Sequence, residues 1–147
     1  MLVYRVEYTD ERGPYTPAPC SCRGRTCRCE AEKRERFSIR LNDSHIGDRW
    51  PTTYSDKAVD YPGKTLGEMR WERMRTDSDS LWLHGFENHY ALSEWFEGWA
   101  YALAKNGYVV STYEVPDSGV IRGTKQVIFL MESATLIDLR YPTDIFA

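Results

Sequence analysis

Apolar and polar positions set out the elements in turn. Leu2 to Tyr8 is rich in Val and Tyr, partly alternates, and stops at Thr9-Asp10-Glu11; it reads as a strand. Gly13-Pro14 marks a turn. Glu30 to Arg36 is a charged run that predicts a short helix, and Phe37 to Leu41 alternates as a short strand does. From Asn42 to about Thr76 the chain is polar and broken by Gly47, Pro51, Pro62, Gly63 and Gly67. It reads mainly as loop, with one helical turn around Leu66 to Met74. The best helix runs over about 89–106. Leu92, Trp95, Phe96, Trp99, Ala100 and Leu103 form one apolar face at helical spacing. Asn88 is placed to cap its start and Gly107 to end it.

Tyr108 to Val115 predicts a strong strand and Val120 to Met131 a second, with Gly123 as a bulge or an end. Pro116-Asp117-Ser118-Gly119 is turn chemistry, so the two should pair as an antiparallel hairpin. Leu136 to Tyr141 gives a further strand. The expected class is α+β: a mostly antiparallel sheet with one main amphipathic helix. The 147 residues fit one domain, 1–147, with a cysteine-rich insertion at 17–36.

Composition adds exclusions. No apolar run reaches the roughly 18–20 residues of a membrane span. The first residues carry no basic-then-apolar signal pattern, so a cytoplasmic location is expected. A net charge of −3 argues against wholesale nucleic-acid binding. The charge is uneven, however. Cys20 to Arg40 holds seven Lys and Arg against three Glu, whereas Thr76 to Ala100 holds five acids and no base. Two solvated faces that attract each other account for this; a docking surface for a charged partner is the alternative.

All four cysteines, Cys20, Cys22, Cys27 and Cys29, lie within ten residues. Two C-x-C arms around Arg23-Gly24-Arg25-Thr26 can supply four thiolates, which predicts a structural, knuckle-like zinc site. A redox pair, an iron–sulfur ligand set and free thiols are the alternatives. Arg23, Arg25 and Arg28 would either keep the thiols ionised or touch nucleic acid.

Of the histidines, His84 and His89 lack the i, i+4 spacing of a helical metal motif and read as a loop entering a helix. His45 has Asp48 close by in sequence. Arg5, in the middle of the first strand, is a candidate anion-binding residue if its face lines a cleft. Gln126, the sole Gln, is either an outward strand position or a hydrogen-bonding site residue.

The order of several segments carries a resemblance. Val3-Tyr4-Arg5-Val6-Glu7 precedes Gly13-Pro14-Tyr15, then His45 and Trp50-Pro51 to Asp56. Gly85-Phe86, Trp95-Phe96, Gly107 to Val115 and Gly123 to Phe129 follow. Together these resemble a group of small bacteriophage-encoded proteins and, more distantly, the ADP-ribosyltransferase fold. The first resemblance implies an accessory protein that binds a host or phage macromolecule in the infected cell, or a virion component. The second implies NAD binding at Arg5 and Tyr113, with Arg5 and Gln126 at the catalytic places. Gln126 is neutral where that fold usually carries a Glu, and a neutral amide cannot act as a base.

Overall fold

The computed structural model describes residues 1–16, 30–45, 50–52 and 55–147. Among the described residues six strands form two antiparallel sheets. The first sheet has β1 (Leu2–Glu7), β3 (Val109–Glu114) and β6 (Thr135–Arg140), with β3 in the centre. The second has β2 (Trp82–Gly85), β5 (Val127–Leu130) and β4 (Val120–Arg122), with β5 in the centre. Five separate α-helices accompany them among the described residues: α1 (Glu30–Ser44), α2 (Leu66–Thr76), α3 (His89–Trp95), α4 (Ala100–Lys105) and α5 (Pro142–Ile145). None of these is long and apolar enough to cross a membrane.

The sheets meet where β1 passes the end of β2. Tyr4 and Phe86 exchange two backbone hydrogen bonds of 2.8 and 2.7 Å. Val3, Tyr113, Val127 and Phe129 bury their side chains in the seam. So close an approach needs Gly85, because a Cβ there would stand 2.6 Å from Val3 Cγ1 and 2.9 Å from the Tyr4 carbonyl. A second cluster packs α1, α3 and α4 against β1 and β3 through Phe37, Leu41, Leu92, Phe96, Leu103 and Tyr108. A third joins α2 to β2, β4 and β5 through Leu66, Met69, Trp82 and Ile128.

The fold class is mixed α+β, but the single dominant helix over 89–106 is corrected to two short ones. Asn88 does cap α3, its side chain accepting from the Ala91 N–H. The break comes at Gly98, whose φ of +82° belongs to the left-handed region. The apolar spacing still holds, since Leu92, Trp95, Phe96, Ala100 and Leu103 are all buried. Gly107, at φ +84°, ends α4 as its position implies.

The strand expected at Phe37 to Leu41 is the middle of α1. Arg34, Phe37, Ser38 and Leu41 are buried while Ile39 is exposed, which is a helical period. Arg34 fastens this helix by lying 3.9 Å over the Tyr8 ring and 3.4 Å from the Asp10 carboxylate. The hairpin expected between 108–115 and 120–131 does not form. Both edges of β3 are taken by β1 and β6, so the 116–119 turn carries the chain into the other sheet. The long second strand is likewise two, β4 and β5, paired through a turn at Gly123–Gln126.

The expected zinc-knuckle loop finds no support in the described structure. Among the described residues no group of three or more His, Cys, Asp or Glu is placed to hold a metal ion. Cys20, Cys22, Cys27 and Cys29 lie outside the described residues.

Gly85→Ala should loosen the junction between the sheets. We expect a loss of about 1–3 kcal/mol from overpacking against backbone, read as a lower urea midpoint with an unchanged slope.

Candidate functional site

A cleft of about 410 Å³ opens where the two sheets, α2, α3 and the end of α1 converge. That is within the range of small-ligand sites. Its floor is built on Arg5 of β1. The Arg5 Nε donates to Glu7 at 3.1 Å, one terminal nitrogen to the His84 carbonyl at 2.6 Å, and the other to the Glu11 carbonyl at 3.1 Å. Glu7 also accepts the Tyr113 hydroxyl. Burial lowers the Arg5 pKa and the Glu7 charge opposes that. Burial and then Glu7 keep the Tyr113 proton in place. Arg5 is therefore a fixed cation: three of its five N–H groups hold the fold and two remain.

One wall is aromatic. The Trp95 Nε1 donates to the Tyr15 hydroxyl at 2.7 Å, and that hydroxyl shares a hydrogen bond with His45 Nδ1. His45 stacks on Trp50 with ring centres 4.8 Å apart. The Trp50 Nε1 donates to the Trp95 carbonyl at 2.8 Å, which closes the ring of contacts. Burial raises the Tyr15 pKa, so its proton stays.

The opposite side is polar. Arg70 reaches it from α2, its Nε donating to the Trp82 carbonyl at 2.8 Å. Among the described residues no carboxylate pairs with Arg70. His84 lies between the two arginines. Its Nε2 is buried without a hydrogen-bond partner among the described residues. Burial first, then the Arg70 and Arg5 charges, lower its pKa to about 4, so the ring is neutral at pH 7. Gln126 completes this side, its amide donating to the Pro51 carbonyl at 3.3 Å.

Gln126 is positioned by a fully buried carboxylate. Asp56 accepts from the Thr124 N–H (2.7 Å) and hydroxyl (2.6 Å), the Lys125 N–H (3.3 Å) and the Gln126 N–H (3.1 Å). Gly123 makes room for it, since a Cβ there would sit 2.7 Å from Asp56 Oδ2.

Two of the residues singled out in the sequence, Arg5 and Gln126, thus line one cleft. Tyr113 does not line it; it sits behind Glu7 and packs on Phe129. His45 and His84 line the cleft, whereas His89 is exposed and edges onto the Tyr4 ring. Asp48 lies outside the described residues. The roles of Arg70 and Asp56 were not legible in advance, because each acts across more than ten residues of intervening chain. The presence of Asp56 beside Trp50-Pro51 was the one trace.

Residues 1–142 match the family model described as the bacteriophage T4 Y00F protein. The chain belongs to that family. No curated protein and no solved structure matches it. The cleft residues of this Y00F family member all fall inside the matched span. The distant resemblance to ADP-ribosyltransferases is corrected accordingly: the family found is a different one, and no comparison supports NAD as cofactor. The functional expectation that included a structural zinc likewise has no support among the described residues.

Two outcomes test the geometry. Asp56→Ala should cost about 3 kcal/mol, because it strands several buried donors, and chemical denaturation reads that loss. Keeping His84 neutral gives stability that is complete above pH 6.5 and is lost as the pH falls toward 4. The loss should reach about 3 kcal/mol. Urea midpoints taken from pH 7.5 to 5 should fall less steeply in His84→Gln.

Proposed function

We propose that the cleft binds a small organic anion with a planar ring, of about the size of a nucleoside monophosphate. One observation carries this reading. Arg70, a cation with no carboxylate partner among the described residues, faces the same cleft as a wall of Tyr15, Trp50 and Trp95. A half-buried guanidinium is well matched to carboxylate or phosphate oxygens. The indole and phenol rings supply apolar contact area at low entropic cost. The two uncommitted N–H groups of Arg5 and the Gln126 amide would add directional contacts, and neutral His84 would add one hydrogen bond without repelling the anion's partners.

Binding rather than turnover is what this set does best. Gln126 neither takes nor gives a proton at neutral pH, and the buried carboxylate of Glu7 is engaged by Arg5 and Tyr113. The setting that goes with a bacteriophage family is the cytoplasm of the infected host cell, with a host or phage molecule as partner. Nucleic-acid contact through Arg23, Arg25 and Arg28 rests on residues outside the described ones, so the cleft carries the reading.

Titration with adenosine and uridine monophosphates, with inorganic phosphate as control, tests it. Trp50 and Trp95 line the cleft, so saturable fluorescence quenching is expected from the nucleotides. Arg70→Ala should weaken binding by about tenfold or more, the scale of one lost charge-assisted pair. No saturable response to any of the three compounds up to about 5 mM would sink the proposal.

A further inference from the structure

β6 has one neighbour. It pairs with β3 along one edge, and among the described residues nothing pairs with the other. All six of its residues are exposed. Leu136, Ile137, Leu139 and the following Tyr141 are 47, 51, 56 and 66% exposed. A strand with apolar side chains in water and an open backbone edge is a template for another strand.

Leu139 fixes which backbone groups face outward. Its N–H donates to the Asp138 carboxylate at 3.0 Å. In an antiparallel ladder the N–H and C=O of one residue point to the same edge. Both groups of Leu139 therefore face the free side.

The segment Ile137-Asp138-Leu139-Arg140-Tyr141 is self-complementary about Leu139. Antiparallel pairing of two copies, with the two-fold axis at Leu139, sets the two Leu139 residues opposite each other. Asp138 then faces the second copy's Arg140, Arg140 faces its Asp138, and Ile137 faces its Tyr141. Cross-strand pairs of this kind stabilise a sheet. A register shifted by one residue loses both charge pairs. A register shifted by two sets like charges face to face. Charge thus selects one pairing, and the chemistry that satisfies it is a second copy of this chain.

We propose that the protein forms a two-fold symmetric homodimer through β6, joining the two three-stranded sheets into one of six strands. In the free chain Asp138 binds Arg140 at 2.9 Å and covers the Leu139 N–H. In the dimer the second copy's Leu139 carbonyl takes that N–H, and Asp138 turns to the second copy's Arg140. The interface is isologous and closes on itself, so it stops at two chains.

Sedimentation equilibrium on the full chain, in reducing buffer from about 5 to 200 µM, tests this. The expected result is a mass of two chains that falls on dilution. Asp138→Arg sets like charges across both pairs and should raise the dissociation constant about tenfold or more. The double swap Asp138→Arg with Arg140→Asp restores opposite charges and should return the constant to within about threefold of the parent. Circular dichroism melts establish that both variants fold. A monomer at about 200 µM overturns the proposal. So does a dimer that Asp138→Arg leaves unchanged, or one that the double swap fails to restore.

Discussion

The Arg5–Glu7 ion pair is the constraint on which the cleft depends. It is buried in β1, with Arg5 held to the His84 carbonyl of β2 and the Glu11 carbonyl of the arm after β1. Glu7 holds Tyr113 of β3. One pair therefore ties three strands from two sheets. Buried ion pairs add little net stability against apolar substitutes, but breaking one strands a charge. Its consequence here is geometric. The pair holds β1 against His84 of β2, and Arg5 and His84 both line the cleft.

Asp56 plays the matching part on the far side. A fully buried carboxylate with several short donors acts as the centre of the Thr124–Gln126 turn. The turn could not close as it does with a side chain at Gly123. Glycine and aspartate are used together: one leaves space and the other fills it with acceptors. Gln126 is delivered to the cleft by this arrangement, where its side-chain amide donates to the Pro51 carbonyl.

Where local pattern and packing agree, the sequence was readable. β1, β3 and β6 were all legible from Val, Tyr and Leu content, and the Asn88 cap and the Gly107 stop follow from side-chain chemistry at single positions. Phe37 to Leu41 misled because five residues alternate by chance, and only the burial of Arg34, Phe37, Ser38 and Leu41 reveals a helical face. The 89–106 stripe misled differently. Its apolar face is real, but Gly98 lets the axis break without moving the face off the core. Arg5 and Gln126 stood out as polar residues inside strand-like runs. Arg70 and Asp56 did not, because an Arg in a charged helix and an Asp in a polar loop are ordinary until packing places them.

The sequence by itself determined the local choices: which stretches extend, where helices start and stop, and that polar residues interrupt two apolar strands. Those depend on backbone preference and on neighbours a few positions apart. Only the tertiary structure decided that the strands divide into two sheets, that β3 is central and β6 is left at an edge, and that Arg5, Arg70, His84 and Gln126 face one space. Strand pairing joins residues as far apart as Leu2 and Glu114. The information that selects such a pairing is the fit of whole faces and the satisfaction of buried polar groups, and no short window of the chain contains it.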